Sequence, residues 1–156
     1  MSKLVLPGMV ERGRGALINI SSVAGHMQCG GPMLAGYSGT KAYVEAFSKS
    51  IAYEVAASGV VVQTHIPSFV ATKLAKIKRS SLMVPSPETW VAASLSMFGY
   101  GGTTVVPYLP HFIQDQIADC LPEFIAGAYV LSLHKDIQRR AIAKAAREAA
   151  GEQKAK

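Results

Sequence analysis

Two uninterrupted runs dominated by apolar residues constrain this chain most. Ala16-Leu17-Ile18-Asn19-Ile20 and Val60-Val61-Val62-Gln63-Thr64-His65-Ile66 are each bounded by turn residues, and a long helical pattern from about Leu34 to Ala57 lies between them. Short runs without polar alternation mark strands covered on both faces. Two such strands joined through a helix make a parallel pair, because parallel strands require a crossover connection. Gly13-Arg14-Gly15 punctuates the first strand and Gly59 closes the helix before the second. Ser86-Pro87-Glu88 opens another helix, with Ser86 as N-cap and Pro87 in the first helical position. Thr103-Thr104-Val105-Val106 reads as a short third strand. The expected class is α/β, built on a parallel sheet. Ligands of such sheets sit at the carboxyl ends of the strands, here Ser21-Ser22, the segment Pro67 to Thr72, and whatever follows Val106.

The remaining segments are less regular. Residues 2–12 read as the end of a helix, and Ser21 to Met33 as a Ser- and Gly-rich loop. Tyr43, Phe47 and Ile51 recur every fourth residue and predict the buried face of the long helix, with Trp90 also in the core. The apolar stretch Phe112 to Leu133 contains Asp115, Asp119, Pro122 and Glu123, charges too costly at mid-bilayer for a spanning helix, so it is expected to be buried or interfacial. An Ala-rich basic helix is expected from about Asp136 to Ala150. The expected organisation is a main unit over 1–110, an apolar segment over 111–134 and a basic tail over 135–156.

Composition excludes several classes. With 49% hydrophobic and 17% charged residues the chain is not of the disordered type. Cys29 and Cys120 form no CxxC pair, and His26, His65, His111 and His134 show no metal-ligand spacing. His65, inside a predicted buried strand, is expected to be a satisfied core residue. The net charge is +6, but residues 135–156 hold seven basic and three acidic residues, so four of those six charges belong to the tail. No basic groove is interleaved with aromatics, which argues against a nucleic-acid partner. Pro7 breaks the first apolar run, so no signal peptide is expected.

Tyr37-Ser38-Gly39-Thr40-Lys41 places a phenol and an ammonium four apart, on one face of the helix. A phenol of pKa about 10 is a poor acid catalyst at neutral pH unless its anion is stabilised. A neighbouring ammonium favours that anion. Ser22, leaving the preceding strand, supplies a second hydroxyl. The set suits proton delivery to a carbonyl oxygen.

Ile18-Asn19-Ile20-Ser21-Ser22-Val23-Ala24-Gly25, Tyr37-Ser38-Gly39-Thr40-Lys41 and Pro67-Ser68-Phe69-Val70-Ala71-Thr72, in that order, resemble three motifs of the short-chain dehydrogenase/reductase family. Within it, Leu4 to Arg12, Val70 to Ile77 and Pro85 to Thr89 look like the group of very-long-chain 3-oxoacyl-CoA reductases, also called type 12 17β-hydroxysteroid dehydrogenases. The resemblance implies the C-terminal half of a doubly wound Rossmann-type sheet, without the N-terminal dinucleotide-binding strands. It implies Tyr37 as proton donor, Lys41 on the nicotinamide ribose, and Ser22, rather than Ser21, on the substrate carbonyl. It implies that Pro67, Val70 (through its backbone) and Thr72 contact the nicotinamide end of NADPH, with NADH as the alternative. Ser68 stands where the family often has Gly, and the gap from Ser22 to Tyr37 is longer than usual, with Gly30-Gly31 as the insertion.

The family also has a Gly-rich phosphate turn and a catalytic Asn ahead of the Ser strand. No Gly-rich turn precedes Ser21. About four βα units, on the order of 120 residues, are unaccounted for, so a shortened chain or fragment is expected. Gly99-Tyr100-Gly101-Gly102 follows a helix rather than a strand and does not replace that turn.

The resemblance implies NADPH-dependent reduction of a 3-oxoacyl-CoA in very-long-chain fatty-acid elongation, at the cytoplasmic face of the endoplasmic reticulum membrane. Lys73 and Lys76, with Lys78 and Arg79, are expected to attract the coenzyme A phosphates. The basic tail is expected to meet an anionic membrane surface, and the Tyr37 helix a second copy in a homodimer. The alternatives are a steroid or other lipid-ketone dehydrogenase, and a non-catalytic half-domain that needs a partner chain.

Overall fold

The computed structural model describes residues 1–75 and 77–154, with side chains up to residue 147. Lys76 and the last two residues of the basic tail therefore lie outside the described residues. In chain order the elements are α1 (Ser2–Glu11), β1 (Gly15–Ile20), α2 (Val23–His26), α3 (Ala35–Glu54), a 3₁₀ turn (Ala56–Ser58), β2 (Val60–His65), α4 (Pro87–Ser96), β3 (Thr104–Val105), α5 (Leu109–Asp119) and α6 (Glu123–Lys154). The strands form one parallel sheet in the order β1-β2-β3, with Gly15 opposite Val60 and Ile20 opposite His65. The sheet then continues to Thr104 and Val105, opposite Thr64 and His65.

Burial follows position in the sheet. Central β2 is buried at every residue except Val61, whereas β1, at an edge, leaves Ala16 and Ile20 exposed. The expectation of cover on both faces thus holds for β2 and only in part for β1. The core gathers Ile51, Val55, Val60 and Val62, with Leu6, Met9, Leu17, Phe47 and Ala52 packed against it. Gly59 ends the first crossover at φ +70, in the left-handed region, and Ser86 Oγ accepts from the Thr89 N–H at 3.2 Å as the cap of α4.

Four elements differ from the sequence reading. The buried residues of α3 are Glu45, Ser48 and Ile51, while Tyr43 is exposed and stacks on Phe47 with ring centroids 5.8 Å apart. Polar residues occupy the inner face because partners wait there: Asn19 donates to Ser48 Oγ at 2.8 Å, and His26 and Lys49 both reach Glu45. The loop expected from Ser21 to Met33 contains the short helix α2, capped by Ser22. The stretch 112–133 divides between α5 and the start of α6, with His111, Asp115, Ala126 and Val130 buried and Phe112, Ile113 and Ile117 exposed. Finally, α6 begins at Glu123 rather than near Asp136, because no proline interrupts it after Pro122. Among the described residues, no helix is long and apolar enough to cross a membrane.

Candidate active site

Ser22, Tyr37, Lys41 and the 67–72 segment meet at the carboxyl end of the sheet. The chain leaves β1 at Ser21 and β2 at Ile66, and two backbone bonds hold the exits together: Ser21 N–H to His65 O at 3.0 Å and Val23 N–H to Pro67 O at 2.9 Å. The sheet register therefore continues past the strand ends into the site.

The two serines divide their work. Ser21 is buried, and its hydroxyl donates to the Lys41 carbonyl at 2.7 Å. Ser22 caps α2, its Oγ accepting from the Ala24 N–H at 3.3 Å. A hydroxyl carries one donor and two acceptor sites, so Ser22 keeps its proton for another acceptor while Ser21 has committed its own.

Tyr37 sits in the first turn of α3 and is 47% exposed, its ring open to solvent. Lys41 follows one turn later. Its ammonium lies 5.8 Å from the centre of the Tyr37 ring and donates to the Ile20 carbonyl at 3.0 Å, anchoring the start of α3 to the end of β1. Met33, just ahead of α3, has φ +68, a left-handed conformation that costs a non-glycine residue about 1–2 kcal/mol.

The 67–72 segment is held from outside the sheet by His111, which sequence reasoning left without a role. His111 Nδ1 accepts from the Ser68 N–H at 3.2 Å, which leaves Nε2 to donate to the Met83 carbonyl at 3.3 Å. Ala71 N–H donates to Pro85 O at 2.9 Å, and Thr72 Oγ1 accepts from Ala75 N–H at 3.1 Å. Among the described residues, neither backbone group of Val70 takes a protein partner, so its amide is open to a ligand. A nicotinamide end fits this half of the site on that ground, with Tyr37 and Lys41 beside it. Gly99–Gly102 lies between α4 and β3 rather than after a strand, tied down by Gln63, whose Nε2 donates to Tyr100 O at 2.9 Å and Gly102 O at 3.2 Å. Lys73, Lys78 and Arg79, which follow the 67–72 segment in the chain, are exposed.

His65 is a satisfied core residue, as expected. It is fully buried, with Nε2 facing Gln63 Oε1 at 3.4 Å and Nδ1 taking the Ser94 hydroxyl at 2.6 Å. Burial lowers the pKa of both His65 and His111 below the ordinary value of 6.5. The unfolded chain regains that ordinary value. The stability from keeping both rings neutral is thus complete above pH 6.5 and is lost as the pH falls through the lowered native values. Asp115, raised above 3.8 by burial, acts in the opposite direction, one carboxyl against two imidazoles. The melting temperature should fall between about pH 7.5 and about pH 5.5, and calorimetry at the two values checks it; an unchanged or higher midpoint would contradict neutral burial.

Residues 1–82 match the short chain dehydrogenase family. The very-long-chain 3-oxoacyl-CoA reductase of Homo sapiens is 42% identical over 144 residues, which cover 92% of this chain and 45% of the relative. The chain thus spans under half the length of that curated relative. Among solved structures, a 7β-hydroxysteroid dehydrogenase superposes with TM-score 0.69 at 20% identity, over 82% of this chain and 52% of that one. A short-chain dehydrogenase from Sphingobium yanoikuyae in complex with NADPH gives TM-score 0.54 at 26% identity, over 74% and 49%.

Proposed function

The chain belongs to the short-chain dehydrogenase family, and from that premise we propose that it carries the carbonyl-reducing half of a 3-oxoacyl-CoA reductase that uses NADPH in fatty-acid elongation. The observation that carries the reading is the convergence of a proton-bearing Ser22 hydroxyl, the Tyr37 phenol and the Lys41 ammonium at the carboxyl ends of β1 and β2.

In this reading the Ser22 hydroxyl donates to the substrate carbonyl and fixes its direction. The Tyr37 O–H delivers its proton to the same oxygen as charge develops there. Lys41, held by the Ile20 carbonyl, holds the cofactor's ribose. Pro67, Val70 and Thr72 flank the nicotinamide end, Val70 through its open amide. When bound, the reduced nicotinamide supplies the hydride that reaches the carbonyl carbon. Similarity to 3-oxoacyl-CoA reductases supports the substrate class.

In this reading the exposed cations that follow the 67–72 segment distinguish this substrate from an uncharged ketone. Coenzyme A carries phosphates, and two fixed charges about 4 Å apart attract by about 1 kcal/mol even in bulk water. Lys73→Glu combined with Lys78→Glu should raise KM for a 3-oxoacyl-CoA about tenfold, which corresponds to about 1.4 kcal/mol, and leave KM for an uncharged ketone unchanged. The difference should shrink as salt is added. Steady-state kinetics on both substrates measures it. Equal changes in the two KM values would remove these lysines from substrate binding.

A further inference from the structure

Ser22 caps a helix of only four residues. A helix this short has no stability of its own, so the place of Ser22 depends on what α2 leans against. It leans along α3, contact by contact. Ser21 donates to Lys41 O at 2.7 Å, and the Ala24 carbonyl accepts from Ser38 Oγ at 2.5 Å. A Cβ on Gly25 would lie 2.6 Å from Ala42 N, and His26 Nδ1 sits 3.0 Å from Glu45 Oε2. The last contact joins an imidazole to a carboxylate, and it does not stop at α3. His26 Nε2 lies 3.7 Å from Asp115 Oδ2 on α5.

Two nearly dry carboxylates flank His26, whose own side chain is 23% exposed. Glu45 and Asp115 are 7% and 3% exposed, and Asp115 Oδ1 has no partner among the described residues. Lys49 on α3 reaches Glu45 Oε1 at 2.7 Å, Thr104 on β3 reaches the same oxygen at 3.4 Å, and Asp119 lies one turn beyond Asp115 on α5. Burial pushes the Glu45 carboxyl up, but the hydrogen bonds from Lys49 and His26 outweigh it and hold the group below the usual carboxylate range. An ionised carboxylate only accepts, so the bond runs from His26 Nδ1–H to Glu45. The proposed chemistry uses none of these groups.

We propose that His26 is a positioning residue: clamped between Glu45 and Asp115, it fixes α2 on α3 and so sets the Ser22 hydroxyl relative to Tyr37. The inference rests on the carbonyl-reductase reading. It also gives α5 a role. His111 and Asp115 are four residues apart and share one face of that helix. His111 grips the segment that meets the nicotinamide, and Asp115 faces the residue that steadies Ser22. One helix therefore braces both sides of the site.

The test compares His26→Asn with His26→Phe in this protein. Asn keeps a donor where Nδ1 stands, and Phe keeps only the ring. His26→Phe should lower kcat on a 3-oxoacyl-CoA about ten- to hundredfold with a smaller change in KM, and His26→Asn should recover most of that loss. The amide resonance of Ala24, whose N–H bonds Ser22 Oγ, reports the hydroxyl without substrate. It should shift in His26→Phe and return toward its wild-type position in His26→Asn. The proposal falls if kcat in His26→Phe stays within about twofold of wild type, if the two variants fall alike, or if the Ala24 resonance does not move. Should His26→Phe not fold, Asp115→Asn takes its place. It replaces the carboxyl that faces His26 Nε2 with an amide of the same size, so it should lower kcat; kcat unchanged would overturn the proposal. If the wild type reduces no acyl-CoA but the Ala24 resonance still moves and recovers, the clamp stands and the reductase reading falls.

Discussion

Replacing Tyr37 with phenylalanine should lower kcat for 3-oxoacyl-CoA reduction by about 10²- to 10⁴-fold, the range that a positioned proton donor contributes. The substitution removes one oxygen and its proton. The ring stays, and with it the face beneath the Lys41 ammonium. Because the side chain is about half exposed, neither a cavity nor an orphaned buried polar group is created, so the melting temperature should hold. Lys41 keeps its bond to Ile20 O, so cofactor affinity should change little. The expected pattern is a collapse in kcat with fold and cofactor binding intact, read by single-turnover kinetics, thermal unfolding and cofactor titration. A variant retaining more than about a tenth of the wild-type kcat would show that the proton comes from another group.

Gly59→Ala should cost about 2–5 kcal/mol of stability. Gly59 has φ +70, where an L side chain costs about 1–2 kcal/mol. A Cβ there would also run into the Gly13 carbonyl oxygen, and relieving such an overlap in a packed structure typically costs a further 1–3 kcal/mol or so. The two turns in contact, after α1 and after α3, launch the paired strands β1 and β2. Neither can give way without shifting the Gly15–Val60 register. Against a typical total of about 5–15 kcal/mol, the loss is a large share of what holds a domain together. Gly39→Ala is the control: it lies in α3 with open space around its Cβ and should stabilise by about 0.5–1 kcal/mol. Denaturant unfolding of both variants measures the contrast, and equal midpoints would refute it.

The legible parts of this molecule were those whose signals are local. β2 declared itself because five of its six residues are buried, so no polar alternation was needed. The start of α4 was legible because Ser86 and Pro87 form a cap within four residues. Tyr37 and Lys41 were legible because helix spacing alone puts them on one face. The inner face of α3 was misread because periodicity counts apolar residues, whereas Glu45 and Ser48 are buried by partners on α2, α3 and β1. The same blindness hid His111 and Asp115. His111 bonds residues 43 and 28 positions away, and Asp115 faces a histidine on another helix. A one-dimensional pattern has no means of showing that α5 stands behind the 67–72 segment.

The bonds that place the three candidate catalytic side chains have a common trait. Ser21 to Lys41, Ala24 to Ser38, His26 to Glu45 and Lys41 to Ile20 span 20, 14, 19 and 21 residues. The bond that holds the 67–72 segment, Ser68 to His111, spans 43. Closing the longer loop costs about 0.7 kcal/mol more chain entropy than closing one of twenty residues. The local contacts that place the candidate proton-transfer side chains thus lie within one β-α-α stretch of chain, whereas α5 adds its contacts to both His26 and Ser68 from far along the sequence.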